Sequence, residues 1–427
     1  MTRIRCVTML LSKKVAGVMR SVDMAVGSTV VHGLTDEKFE PILAAFAANF
    51  AEREEQGASI CVNVDGETVV DLWGGALGPR QQGDWEEDSI SIVHSVTKAA
   101  VALCAHVLIA DGKLSLDSPV MEYWPEFGQS GKEAVTVAMM LNHQAGLPAL
   151  RSKLKEGAFL DWDYMVAALA SETPFWQPGS RHGYHMSTYG WTVGELIRRV
   201  SGLSLGEFFQ HRIAEPLDLD FHIGLPDSEH HRVARMIGWA PKKGDPVPAF
   251  TDALLTDRSS VQYLALLNNG KHRSDTPESY RAEFGAGGGI TNARGIAGLY
   301  RPLANGGGNL LPPEHIQLLQ EPASEGADFT LVSPTRFSQG FMLSMDNRAR
   351  PTGALESMII GDRAFGHAGA GGSVGFADPE CRLGFGYAMN KMGAGILLNE
   401  RGQSLVDAAY RCLGYDNSEF GSWRFDD

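Results

Sequence analysis

The order of apolar and polar positions divides the chain into segments of two periodicities. Over residues 36–56, Phe39, Ile42, Leu43, Phe46 and Phe50 recur at helical spacing and Gly57 supplies a stop, which predicts an amphipathic helix. Residues 58–64 and 67–72 read as strands about Asp65-Gly66, a strong hairpin signal. A polar loop over 74–88 leads into residues 91–112, the stretch around which the chain is organised. It opens as a short β-branched strand and becomes a helix rich in Ala, Val and Leu, stopped by Asp111-Gly112. From Ser95 to Ala110 the apolar residues run nearly all the way round, so this helix is expected to be buried.

Beyond Gly112 the pattern changes. Residues 114–127 are a connector that turns at Pro119 and Pro125. A short helix over 135–141 runs into Asn142-His143-Gln144-Ala145-Gly146-Leu147-Pro148, and helical patterns follow at 161–171, 188–200 and 205–213. Strand signals return near Gly285, lead into a helix over 293–303, and continue as successive antiparallel strands within 337–345, 364–378 and 382–389. A helix over 400–413 closes the chain. These elements predict an α+β fold: an antiparallel sheet flanked by helices, built from residues 36–110 and 285–427, with a mostly helical domain inserted at 111–284. Residues 1–35 are expected to be an extension outside the main fold, and the cleft between the two domains is the expected site.

Composition narrows the function classes. A length of 427 residues with 44% hydrophobic and 21% charged residues is that of a globular protein with a large core. The net charge of −14 argues against nucleic acid and anionic membranes as partners. No apolar run is long enough to span a bilayer. Five cysteines with no C-x-x-C spacing are expected to be free thiols in a reducing compartment, the cytoplasm. The basic residues before Asp23 leave an organelle presequence as the alternative.

Chemistry enters through one residue. Lys98 is the only formally charged side chain in the apolar helix, where a lone cation is unfavourable unless paired or neutralised. Ser95 lies three residues earlier on the same face, in the first turn, where the helix dipole favours negative charge. A serine beside a lysine that can shed its proton is an activated nucleophile. The plainer alternative is an N-cap serine beside a snorkelling lysine. The spacing itself is weak: Ser152-Lys153-Leu154-Lys155 repeats it in a charged run, where the lysines would stay solvated.

Three ordered motifs strengthen the catalytic reading. Ser95-Val96-Thr97-Lys98 is followed by Tyr184-His185-Met186, itself after Trp176-Gln177-Pro178-Gly179, and then by His367-Ala368-Gly369 with Ala370-Gly371-Gly372-Ser373. Together with DGKLSLDSPV, LNHQAGLP and GFADPE they resemble the serine β-lactamase and penicillin-binding-protein superfamily. The resemblance is greatest to the class C-like branch that includes the family VIII carboxylesterases, over about residues 36–415. It implies Ser95 as nucleophile, Lys98 as the residue that takes or relays its proton, and Tyr184 as the proton carrier to the leaving group. Tyr189 is the rival carrier. A cationic Lys98 beside Tyr184 is expected to lower the pKa of the phenol. The resemblance also implies an oxyanion hole from the backbone N–H groups of Ser95 and Ala370. His367 and Gly369 would line the cleft as the counterpart of K-T-G, with Met186 and Trp176 as an apolar substrate wall. Two departures matter: Met186 stands for the asparagine of Y-x-N, and His367 for the lysine of K-T-G.

Other patterns are set aside. Gly202-Leu203-Ser204-Leu205-Gly206 is a formal G-x-S-x-G, but a helix precedes it, and Ser204 with Glu207 reads as a capping box. His182 with His185 and Glu229-His230-His231 lack zinc-site spacing, so no metal is expected. The expected function is a carboxylesterase on small or short-chain esters that needs no cofactor. Its partner is a small-molecule ester, and a homo-oligomer is compatible with the sequence. The alternatives are a β-lactamase or D-peptidase of the same fold, or a scaffold protein with little turnover.

Overall fold

The computed structural model describes residues 17–78, 81–244 and 247–425. Its strands are β1 (Met19–Val26), β2 (Thr29–Asp36), β3 (Gly57–Val64), β4 (Glu67–Gly75), β5 (Ser91–Ile92), β6 (Phe221–Ile223), β7 (Gly289–Thr291), β8 (Ser324–Ala327), β9 (Pro334–Phe337), β10 (Met342–Leu343), β11 (Phe365–Ala368), β12 (Val374–Asp378) and β13 (Leu383–Met389). The helices in the first half are α1 (Glu40–Glu52), α2 (Thr97–Ala110), α3 (Val137–Leu141), α4 (Trp162–Ser171), α5 (Tyr189–Ser201), α6 (Leu205–Phe209) and α7 (Glu215–Leu217). Those in the second half are α8 (Ala249–Thr256), α9 (Val261–Leu266), α10 (Pro277–Arg281), α11 (Ala293–Ala304), α12 (Pro313–Gln320) and α13 (Glu400–Cys412).

Ten strands make one antiparallel sheet in the order β1-β2-β4-β3-β13-β12-β11-β10-β9-β8. The front and back of the chain meet where β3 pairs with β13, Val64 opposite Leu383. Side chains alternate across β13, and the sequence exploits this. Gly384 and Gly386 face α11, which lies so close that a Cβ on Gly386 would sit 2.4 Å from the Ala293 carbonyl oxygen. Phe385 points to the other face, stacked on Phe376, which in turn stacks on Tyr410 of α13. Helix α1 packs beside α13 on that face. The layers are therefore helix, sheet, helix.

Between α2 and β7 the regular elements among the described residues are short helices, joined by long loops, and β6, which joins β7 and β5 in a small second sheet. Helix α2 is buried from Thr97 to Leu108, as its unbroken apolar surface predicts, and α5 and α6 pack against it. No helix among the described residues is long and apolar enough to cross a membrane.

Several expectations are corrected. The extension expected over residues 1–35 belongs to the sheet from Met19 onward, because Val22, Met24 and Val26 alternate before a Gly27-Ser28 turn and β1 pairs with β2 along its whole length. The basic stretch read as a presequence lies mostly outside the described residues. The helix expected at 36–56 starts at Glu40, since Asp36 ends β2 and its carboxylate accepts the Lys38 N–H at 2.9 Å. The strand expected over 337–345 is two strands, β9 and β10, separated by a turn through Gly340 at φ +98°. The helix at 205–213 gives way after Phe209 to one π-type turn, 210–214.

Candidate active site

Ser95 sits in a 3-10 turn, His94–Val96, between β5 and α2. His94 holds φ +47°, a left-handed conformation unusual for a residue with a side chain, and the neighbouring structure fixes it there. The Thr97 hydroxyl donates to the His94 carbonyl at 2.5 Å and accepts from the Gly289 N–H at 2.8 Å, tying the turn to β7. On the other side the Ser373 hydroxyl donates to the Val93 carbonyl at 3.0 Å. Gly369 fits between them only because it lacks a Cβ, which would lie 2.3 Å from that same carbonyl oxygen. The end of β11 is thereby held against the Ser95 turn. Ala370 follows half-buried, and its N–H makes no hydrogen bond among the described residues.

Lys98 is fully buried one turn along α2. Its Nζ lies 3.1 Å from Ser95 Oγ and 2.7 Å from each of the Met186 and Ala286 carbonyl oxygens. Burial pushes its pKa well below the ordinary lysine value. The geometry suits the neutral amine: two N–H groups donate to the two carbonyls, and the lone pair is left facing the Ser95 hydroxyl. The second S-x-x-K is different, since Lys155 is a surface residue paired with Asp161 at 2.5 Å.

Tyr184 arrives on an extended strap that crosses the mouth of this pair. The strap is pinned on one side by the LNHQAGLP loop. The Gly183 N–H donates to the His143 carbonyl at 3.1 Å, and the His185 N–H donates to His143 Nδ1 at 3.2 Å. The Leu147 N–H donates to His185 Nε2 at 3.0 Å. On the other side the Tyr184 N–H donates to Asp328 at 3.0 Å. The phenol ring stacks on Phe337 and lies 6.0 Å from the His367 ring, with Lys98 Nζ 4.7 Å from its centroid. Its hydroxyl is buried and makes no hydrogen bond among the described residues, but Ser95 is near enough to stabilise the phenolate. Burial outweighs that effect, so the Tyr184 pKa is raised, not lowered as expected from a cationic neighbour. The reason is symmetrical: burial drives Lys98 and Tyr184 alike towards their neutral forms.

The remaining predicted residues divide. Met186 takes part through its carbonyl on Lys98, while its side chain is half-buried in the apolar cluster that includes Tyr184. His367 is buried, donates its Nδ1–H to the Ala368 carbonyl at 2.7 Å, and leaves Nε2 without a partner among the described residues. Burial and nearby Lys98 push it down to about 3, so its ring is neutral. Trp176 lies apart, packed on His185, Phe329 and Gly183, because Gly146 brings its backbone close on the far side of the strap. Tyr189, at the start of α5, points its hydroxyl towards Gly340 and the middle of α2. Ser204 forms the expected capping box with Glu207 and also donates to Glu283 at 2.6 Å. Both ring nitrogens of His185 are engaged by backbone groups, and His182 Nε2 is engaged by Thr335 Oγ1, so these histidines brace the strap. Asp328 and the Ala286 carbonyl are absent from the predicted set. A backbone acceptor has no side-chain signature, and Asp328 lies in a loop far from every motif.

Residues 43–408 fit the family described as Beta-lactamase, and the chain belongs to that family. It is 31% identical over 385 residues to the esterase/beta-lactamase LipL of Mycobacterium tuberculosis, covering 87% of this chain and 85% of that one. Among solved structures, a family VIII carboxylesterase is 37% identical with a TM-score of 0.78, covering 90% of this chain and 99% of that one. A penicillin-binding protein homolog from Caulobacter crescentus is 35% identical with a TM-score of 0.78 over the same shares. The fold is thus the serine-hydrolase fold shared by esterases and β-lactamases.

Proposed function

We propose that the protein is a serine carboxylesterase that cleaves small or short-chain carboxylic esters through an acyl-enzyme on Ser95. The observation that carries this reading is the Ser95 hydroxyl 3.1 Å from a buried lysine whose other two contacts are carbonyl oxygens. Neutral Lys98 takes the Ser95 proton as Oγ bonds to the ester carbonyl carbon. The carbonyl oxygen becomes an oxyanion, stabilised by the N–H groups of Ser95 and Ala370. Collapse breaks the bond to the alcohol oxygen, which takes a proton from Tyr184, and Lys98 restores the proton of Tyr184. Water then attacks the acyl carbon by the same path and frees Ser95. Raised Tyr184 and lowered Lys98 pKa values support these assignments, since the resting phenol is the acid and the resting amine the base.

Esters are favoured over β-lactams for a physical reason. A lactam carboxylate would meet neutral His367 in place of a lysine, and its amide would meet the Met186 thioether in place of an asparagine. Free thiols at Cys61, Cys104, Cys381 and Cys412 support a reducing, cytoplasmic location. The test is hydrolysis of p-nitrophenyl acetate and butyrate by the purified protein and by Ser95→Ala. Turnover lost by at least 10³-fold in the variant supports the reading, and equal turnover refutes it.

A further inference from the structure

Asp328 is a buried acid in a place that no motif marks. Its side chain has no exposed surface, and the only basic group within 4 Å among the described residues is His182, at 3.9 Å. His182 Nε2 instead bonds Thr335 Oγ1 at 2.9 Å. The carboxyl group is surrounded by main-chain donors. Oδ1 accepts from the N–H groups of Tyr184 (3.0 Å), Thr330 (2.8 Å) and Leu331 (2.8 Å). Oδ2 accepts from the Tyr184 N–H at 3.1 Å and from the Thr335 hydroxyl at 2.9 Å. Burying a carboxyl group without a cation is unfavourable, and here N–H and O–H dipoles compensate it.

We infer that Asp328 is a positioning residue that holds the Tyr184 hydroxyl over Ser95 by gripping the Tyr184 amide with both carboxyl oxygens. The inference rests on the esterase reading above. The flanking amides, of Gly183 and His185, both go to His143, whereas the Tyr184 amide goes to Asp328 on the opposite side. The loop that presents it is tight: the Val332 N–H returns to the Asp328 carbonyl at 3.0 Å, and Val332 itself has φ +59°, a strained conformation for a β-branched residue. A rigid loop fixes Asp328, Asp328 fixes Tyr184, and the ring follows between Phe337 and His367. A displacement of about 1 Å in a reacting group can lower a rate 10²-fold. The negative charge of Asp328 also works against the phenolate, which favours Tyr184 as the acid.

The experiment uses the full chain with Asp328→Asn, which keeps the shape but replaces an acceptor facing the Tyr184 N–H by a donor. kcat and KM are measured with p-nitrophenyl acetate. The Tyr184 ring signal is followed by NMR with 13C-labelled tyrosine, assigned through Tyr184→Phe. The inference predicts kcat lower by 10- to 100-fold, KM within 3-fold, and a displaced Tyr184 signal. An unchanged kcat or an unmoved ring signal overturns it. Should Asp328→Asn not fold, Thr335→Val removes a neighbouring contact and leaves the acid. A 3-fold or greater loss in kcat with a moved signal is then expected, and wild-type kcat overturns the inference. Should the wild-type protein hydrolyse no ester at all, the esterase reading fails, and the ring signal alone decides the role of Asp328.

Discussion

Lys98 has a cation-forming side chain in a place that disfavours the cation. Its pKa in the folded protein lies well below that of lysine in an unfolded chain. Between the two values the unfolded chain binds one more proton, so stability contributed here rises with pH and is reduced near neutrality. Lys98→Met should therefore abolish ester turnover while raising stability by on the order of 1 kcal/mol, read as a higher urea midpoint. A destabilised variant would contradict the burial argument. The same pKa predicts that kcat/KM declines as pH falls through it, because the base becomes protonated. Tyr184→Phe and Lys98→Ala should each disable acylation, with the double variant little worse, as expected of groups acting as a unit. Tyr189→Phe should keep turnover, because its hydroxyl faces Gly340. Loss in Tyr189→Phe with activity in Tyr184→Phe would reverse the assignment. At His367 and Met186 the expectation concerns substrate: kcat/KM for a short p-nitrophenyl ester should exceed that for a chromogenic cephalosporin across pH 6–8. Cephalosporin turnover at or above the ester rate would refute it.

Elements differ in how openly the sequence declares them. Helix α2 is legible because its apolar residues leave no polar face and Asp111-Gly112 ends it. The β3–β4 hairpin is legible through Asp65-Gly66, where Asp65 takes φ +54°. Strands β1 and β2 are hard to read, because they lie at one edge of the sheet and leave many side chains exposed. The split between β9 and β10 falls at Ser338-Gln339-Gly340, a short polar break between apolar residues that one strand could also carry, and tertiary contact decides it, since Gly340 must pass close to Ala102 of α2. At the site the side-chain motifs are visible, but the strap is not. It depends on main-chain amides meeting His143 and Asp328, which lie in separate loops. Gly369 offers a test at this scale. Gly369→Ala would press a methyl group against the Val93 carbonyl and part β11 from the Ser95 turn. It should lower stability by about 1–3 kcal/mol and reduce kcat more than KM. Wild-type kcat and melting would show that the close approach has no functional consequence.

At the scale of the whole molecule, the buried histidines set the acid limit. His94 is pushed to about 4 and His106, His185 and His367 to about 3, chiefly by burial. In the unfolded chain each takes up a proton near pH 6.5. Below that value the unfolded state binds more protons than the folded one, so stability is fully present above pH 6.5 and falls as pH drops towards 3–4. Each such histidine contributes a slope of up to about 1.4 kcal/mol per pH unit. Asp378, raised to about 6, acts with the opposite sign over part of this window. The histidines outnumber it, and urea midpoints should decline steeply between pH 6 and 4. A flat profile would contradict the neutral, buried state assigned to these rings.

The central claim is an acyl-enzyme on Ser95, and rapid-quench mass spectrometry addresses it most directly. Purified protein is mixed with p-nitrophenyl acetate near neutral pH, quenched in acid, digested and mapped. The reading predicts one acetyl group on the peptide that carries Ser95, formed within the first turnover and absent from Ser95→Ala. Acetylation at Ser204 or Ser152 with none at Ser95, or full ester turnover by Ser95→Ala, would contradict it.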